Sequence, residues 1–364
     1  MDAVRQDLLS ISPTDLQLRL EDHFRGREQP RFRADQVRRW IYEKVALGVD
    51  EMTDLSLDER DALQKAFHLG EARVARVSVS EDGTTKHLWE LSDGELVESV
   101  LIPAGRRLTL CISSQAGCAM GCTFCATGWG GFRRQLSTGE IVLQYRASVR
   151  HASENGLGRI SNVVFMGMGE PLANRKALFP ALDVLHAGFG VGARRITVST
   201  VGVVPGILEL ARLPQQFRLA LSLHSPDPDL RRELIPLEKR YPLADVMDAL
   251  REFNQGGGRR ITFEYTLIHG VNDAPELIAP LAALANDVSA FVNLIPFNPI
   301  TAVDWGPSTR SRIREFEDGL TQRGVANAVR EPRGRDIDAA CGQLRTQELV
   351  QLGEGRGREL PEPL

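Results

Sequence analysis

Residues 107–125 read R-L-T-L-C-I-S-S-Q-A-G-C-A-M-G-C-T-F-C. The apolar run at 108–112 reads as a β-strand, and Cys118, Cys122 and Cys125 follow it in C-x3-C-x2-C spacing. Three of the five cysteines in the chain therefore fall within eight positions, with no fourth nearby. A cubane iron–sulfur cluster normally takes four thiolates, one per iron, so three leave one iron open. An open iron binds a substrate or cofactor and passes it an electron. The rival reading is a structural zinc with a histidine as fourth ligand. Zinc ligands usually arrive as two pairs, whereas this chain has one triplet, and the nearest histidines, His87 and His151, lack pair spacing to it.

Outward from that stretch, strand-like and helix-like segments alternate. Apolar β-like runs lie at 108–112, 162–166, 196–199, 219–223, 261–267 and 291–297. Helix-like stretches lie at 138–149, 175–186, 203–213, 243–254, 275–286 and 310–323, the first opening on a Ser137-x-x-Glu140 capping box. Such alternation builds a parallel sheet with helices outside. Six units are too few for an eight-fold barrel, so the expected fold is α/β, a partial, open (βα)6 TIM-like barrel over 107–345. Residues 1–72 read as a small helical accessory domain, with apolar faces from Leu8, Leu16 and Leu20 and then Val37 and Ile41. Residues 73–106 read as a short β extension with turns at Asp82-Gly83 and Asp93-Gly94. The charged tail at 346–364 is expected to be loosely ordered.

In parallel α/β barrels the chemistry sits at the carboxyl ends of the strands. The unusual residues of this chain collect there. The triplet follows the first strand, Gly167-Met168-Gly169-Glu170-Pro171 the second, Ser199 ends the third, Ser222-Leu223-His224 ends the fourth, and Asn298 follows the sixth. Two glycines let a backbone approach a ligand closely, and Glu170 beside them suits an amine or ribose; a plain turn is the bland alternative. His224 taken alone reads equally as a packed, hydrogen-bonded histidine. Cys111 and Cys341 remain, either as two buried thiols or as a nucleophile and the thiol that resolves its adduct.

The chain has 364 residues, 42% hydrophobic and 25% charged, a globular balance with area for a substantial core. Its first residues show no apolar signal-like run, and apolar stretches such as 277–285 are too short to cross a bilayer. With an odd cysteine count, this points to a reducing, cytoplasmic setting and no membrane. Net charge is −4, but residues 25–39 hold six arginines against Glu28 and Asp35, a composition that fits either RNA phosphates or a solvated face.

Taken together, the triplet with its trailing G-F-R-R-Q-L, F-M-G-M-G-E-P-L-A-N, R-R-I-T-V-S-T, S-L-H-S-P, L-I-P-F-N-P and R-x-x-D-I-D-A-A-C-G-Q-L resemble the radical S-adenosylmethionine RNA adenine methyltransferases, the RlmN/Cfr family, over about residues 31–344. The resemblance implies a 4Fe–4S cluster on Cys118, Cys122 and Cys125, with the open iron chelating S-adenosylmethionine. It implies two S-adenosylmethionine molecules per turnover, one to methylate Cys341 and one to yield a 5′-deoxyadenosyl radical that takes hydrogen from that methyl group. The resulting carbon radical adds to an adenine ring carbon, which is electrophilic and unsuited to direct attack on a sulfonium methyl. By the same resemblance Glu98 is the general base, Cys111 resolves the RNA adduct through a disulfide with Cys341, and Gly169, Glu170, Ser199, Ser222, Leu223, His224 and Asn298 contact S-adenosylmethionine. Position alone would make Glu98 a solvent-facing strand carboxylate. Val201 departs from the pattern, standing where relatives commonly carry serine, and little effect is expected because Ser199 is retained.

G-E-P-L-A-N and D-A-A-C-G-Q-L look more like the branch that methylates adenine carbon 2 in 23S ribosomal RNA, which often also modifies the adenosine beside the anticodon in some transfer RNAs. An electron donor such as flavodoxin or ferredoxin is implied. The alternatives are the same chemistry at carbon 8, the antibiotic-resistance branch, and a zinc-stabilised RNA-binding protein without catalysis.

Overall fold

Three helices open the chain. The structure, a computed structural model, describes residues 5–70, 72–255 and 259–344. Helix α1 (Pro13–His23) is capped by Ser12, whose hydroxyl accepts from the Asp15 N–H at 3.1 Å, and proline occupies its first turn, where a missing N–H does no harm. Helix α2 (Pro30–Tyr42) also begins with proline, and α3 (Leu57–Ala66) opens on a full Ser56–Glu59 capping box. Leu16, Leu20, Val37, Ile41 and Leu63 are fully buried between them.

The chain then enters a ten-stranded sheet whose spatial order follows the sequence without a jump. Strands β1 (Ala72–Val79), β2 (Thr85–Leu91), β3 (Leu96–Ala104) and β4 (Arg107–Cys111) form an antiparallel meander. Its first two turns use Gly83 and Gly94 at φ of 83° and 85°, as the Asp-Gly pairs predict. From β4 onward every neighbour is parallel: β5 (Asn162–Phe165), β6 (Ile196–Thr200), β7 (Arg218–Ser222), β8 (Ile261–Leu267), β9 (Phe291–Pro296) and β10 (Asn327–Val329). The parallel strands are thus seven, one more than the apolar runs predict. β10 escapes detection because it is three residues long and never fully buried.

Helices cross between the strands. They are α4 (Ala126–Trp129), α5 (Thr138–Glu154), α6 (Arg175–Asp183), α7 (Val204–Ala211), α8 (Pro228–Leu234), α9 (Leu243–Gln255), α10 (Ile278–Asp287) and α11 (Arg310–Gln322). Six lie where the sequence places them and two, α4 and α8, lie beyond those. Helix α8 was not anticipated, although Asp227-Pro228 announces it: the Asp227 carboxylate accepts from the Leu230 N–H at 2.8 Å.

One apolar cluster joins α1–α3 to the sheet. Two polar contacts fix the junction. Ser10 Oγ accepts from the Gly139 N–H at 3.0 Å, and the buried Arg146 of α5 donates to the carbonyls of Ala46 (2.8 Å) and Leu69 (2.5 Å). The β extension likewise continues the barrel sheet through β3–β4 pairing. The tail at 346–364 lies outside the described residues.

Candidate active site

The strand ends meet as the topology requires. One cavity is lined by Cys118, Cys122, Cys125, Gly169, Glu170, Ser199, Ser222, His224, Asn298 and Cys341, residues drawn from 224 positions of chain. Parallel strands in sequential order put all their carboxyl ends on one edge, so residues remote in sequence become neighbours.

The cysteine loop is held from several sides. Cys118 N–H donates to Gly131 O (2.9 Å), Thr123 N–H to Leu234 O (3.1 Å) and Ala126 N–H to Gly342 O (2.7 Å). A side chain at Gly128 would lie 3.0 Å from Cys122 O, which explains a glycine so soon after the triplet. Burial pushes the Cys118 thiol up to about 12, and burial with the neighbouring sulfurs raises Cys122. Soft ligands must therefore lose protons on loading. A tetrahedral zinc takes all its sulfurs on one ion, about 2.3 Å away. A cubane does not, because each thiolate goes to its own iron. Three sulfurs from one short loop, with Glu170, His224 and Asn298 lining the cavity beside them, fit an open-cornered cluster with a polar ligand on the free iron.

Glu170 is 3% exposed. Its carboxylate accepts from Leu172 N–H at 3.0 Å and Val201 N–H at 2.9 Å, and burial pushes it up to about 7. Gly169 has φ 96°, and a side chain there would run into Gln115. Gly167 presses on the Ile112 backbone, 2.7 Å from a hypothetical Cβ. The glycine pair thus serves close approach of chain to chain as well as the turn.

His224 takes a left-handed φ of 55°. Its Nδ1 accepts from the Thr266 N–H at 2.9 Å, so the neutral ring carries its proton on Nε2. Burial, with Arg231 nearby, holds it down at about 3. It is a packed and hydrogen-bonded histidine that also lines the cavity. Val201 makes its hydrogen bonds through its backbone, its N–H serving Glu170 and its carbonyl accepting from Arg231 at 2.6 Å, while its side chain packs against the core.

Glu98, Cys111 and Leu223 do not line the cavity. Leu223 is fully buried, its backbone N–H bonded to Glu264 O at 3.1 Å. Glu98 is 3% exposed rather than solvent-facing, and pairs with the Lys86 ammonium at 3.0 Å. Val100 pairs with Cys111 across β3–β4, so Glu98, two residues earlier, shares a face of the sheet with Cys111. All five cysteines are thiols. Burial, with Cys341 nearby, pushes Cys111 up to about 12.

Two cavity residues went unread in the sequence. Glu264 sits in I-T-F-E-Y-T-L, where a carboxylate in an apolar run was the available signal. Its carboxylate accepts from Asn293 (2.8 Å) and Thr262 (3.0 Å). Arg330 follows β10, lies 3.9 Å from Glu264, and is raised chiefly by Cys341. No adjacent motif marks it.

Comparison with known proteins identifies the family of the chain. The radical SAM superfamily profile matches residues 112–279, and the profile of the ribosomal RNA large subunit methyltransferase N-terminal domain matches residues 9–69. A protein of Gemmatimonas aurantiaca named "Probable dual-specificity RNA methyltransferase RlmN" is 48% identical over 98% of this chain and 96% of its own. A Synechococcus elongatus protein of the same name is 45% identical over 90% of this chain and 91% of its own. The crystal structure of a radical SAM methyltransferase from Sphaerobacter thermophilus superposes with a TM-score of 0.88 at 43% identity, covering 93% of this chain and 99% of that one. The chain belongs to the RlmN family of radical S-adenosylmethionine RNA methyltransferases, enzymes that use a 4Fe–4S cluster and S-adenosylmethionine.

Proposed function

We propose that this enzyme methylates carbon 2 of an adenine in 23S ribosomal RNA and of the adenosine beside the anticodon in some transfer RNAs. The reading is carried by one observation: Cys341 opens into the same cavity as the cysteine triplet and the strand-end polar residues. The names of the relatives, dual-specificity RNA methyltransferases, supply the substrate class.

Cys118, Cys122 and Cys125 would hold the cluster, which when bound supplies the electron that cleaves S-adenosylmethionine. Gly169, Glu170, Ser199, Ser222, His224 and Asn298 would seat that molecule, and Leu223, buried behind the cavity, would hold Ser222 and His224 in place. Glu170 offers a carboxylate fixed by two N–H donors, suited to an amine or hydroxyl. His224 offers Nε2–H, since Nδ1 is engaged. Cys341 carries the methyl group, Glu98 takes the ring proton, and Cys111 releases the product by forming a disulfide with Cys341. The half-buried Arg330 guanidinium feels the charge of Cys341 and sits in the same cavity.

Residues 1–72 form the RNA-binding accessory region. Arg27, Arg31 and Arg39 stand exposed on it, while Arg25, Arg33 and Arg38 pair with Asp22, Glu59 and Asp35. No helix among the described residues is long and apolar enough to cross a membrane. The enzyme works in the cytoplasm with a flavodoxin or ferredoxin as electron donor.

The test is anoxic turnover of protein-free 23S RNA fragments and transfer RNA, read by mass spectrometry of nucleosides. 2-Methyladenosine in both is the expected product. Methylation at carbon 8, or none from cluster-loaded protein, would overturn the reading.

A further inference from the structure

The segment that carries Cys341 has little regular structure of its own. After Arg330 N–H donates to Leu294 O (2.8 Å) the ladder ends, and among the described residues one 3-10 turn, Arg335–Ile337, follows. Gly334, Asp338 and Gly342 take left-handed φ of 64°, 51° and 83°. Such a chain keeps its place by tethers. Downstream it is tied to the cysteine loop, through Gly342 O and through Leu344 O, which accepts from Thr127 Oγ1 at 2.5 Å. Asn298 Nδ2 donates to Cys341 O at 3.1 Å.

Upstream the tether is the turn between β1 and β2, which belongs to the meander rather than to the parallel barrel. Ser80 Oγ donates to Asp336 Oδ1 at 2.6 Å and Glu81 N–H to Asp336 Oδ2 at 3.2 Å. Gly334 N–H answers by donating to Asp82 Oδ2 at 3.1 Å. A side chain at Gly334 would meet Thr84 at 2.9 Å, so glycine lets the segment lie flush on the turn. Between the two ends Lys86 Nζ reaches Asp338 O at 3.1 Å while pairing with Glu98 at 3.0 Å. Hydrogen bonds hold both carboxylates at the turn ionised against desolvation, those from Thr84 and then the Gly334 N–H keeping Asp82 at about 2 and those from Ser80 and the Glu81 N–H lowering Asp336.

We propose that Asp336 is a positioning residue: with Ser80 and the Glu81 N–H it latches the carrier segment onto the β1–β2 turn. The latch holds Cys341 in register with Glu98, which sits on the same meander. This inference rests on the reading of Cys341 as methyl carrier. It explains two sequence features that the chemistry leaves unused, the acid in R-x-x-D-I-D and the Asp82-Gly83 turn. Alignment of reacting atoms matters here because a displacement of about 1 Å costs roughly 100-fold in rate.

The experiment compares full-length D336A, D336N and S80A with the parent. Hydrogen exchange over 334–344 is followed in the unloaded protein, and 5′-deoxyadenosine formed per adenosine methylated is followed in the loaded one. In D336A exchange over 334–344 rises about ten-fold or more, with barrel strands unchanged. S-adenosylmethionine is then cleaved wastefully, raising the product ratio about ten-fold while RNA affinity holds. D336N restores both readouts, because its amide oxygen accepts the Glu81 N–H and its NH2 donates to Ser80. S80A, which removes one bond of two, gives an intermediate value and serves if D336A does not fold. Unchanged exchange in D336A overturns the latch, as does faster exchange with an unchanged ratio, or D336N as defective as D336A. A parent enzyme that methylates no RNA would refute the carrier reading instead, and the exchange data would still decide whether the latch exists.

Discussion

The cavity at the strand ends and the helical region at residues 5–70 spend their buried positions differently. The helical region buries Leu16, Leu20, Val37 and Ile41 and leaves arginines outside. Its junction with the barrel holds one buried cation, Arg146, answered by two carbonyls. The cavity buries Glu170, His224, Asn298 and Glu264, each with hydrogen bonds on one side and open space on the other. The first arrangement maximises burial of apolar area, which stabilises by about 25 cal/mol per Å². The second keeps polar groups desolvated in advance of a ligand, which lowers stability and prepares binding.

Substitutions separate the two regions. The largest effect belongs to the cavity: C341A abolishes RNA methylation, read by nucleoside mass spectrometry, while leaving RNA affinity intact. C111A accumulates a covalent protein–RNA species on denaturing gels, because the resolving thiol is gone. At the junction, R146M leaves two buried carbonyls unanswered and lowers unfolding free energy by about 2–4 kcal/mol in urea titrations.

Glu170 tests the claim that the cavity gives up stability for function. Its folded-state pKa is raised, so its stabilising contribution is complete below about 4.5 and is lost as pH rises through about 7. The unloaded protein should lose up to about 3 kcal/mol across that window, and E170Q should flatten the profile. On the helical region, R27A/R31A/R39A should leave stability unchanged and reduce the slope of log affinity against log salt by about 0.7–0.9 for each phosphate no longer neutralised. The smallest effect is expected for V201S, with kcat/KM within about two-fold, since both hydrogen bonds of that residue are made by its backbone.

Much of this was legible in the chain. Six of seven parallel strands announce themselves by apolar runs, and the Ser137 capping box and both Asp-Gly turns form as read. β10 was hidden because a three-residue edge strand needs no apolar run. Ten of the thirteen expected site residues line one cavity, because strand ends in a parallel sheet are predictable neighbours. Arg330, Glu264 and Lys86 were missed, since their roles depend on partners from other strands.

The order of elements, the triplet and the residues at each strand end are properties of the linear sequence, because period, spacing and turn chemistry are local. The burial of Glu98 against Lys86, the engagement of both polar groups of the Val201 backbone, and the attachment of the Cys341 segment to a turn some 250 positions away were decided only by folding. A carboxylate or a thiol acquires its environment from chain that is distant in sequence, and no local pattern records which chain that will be.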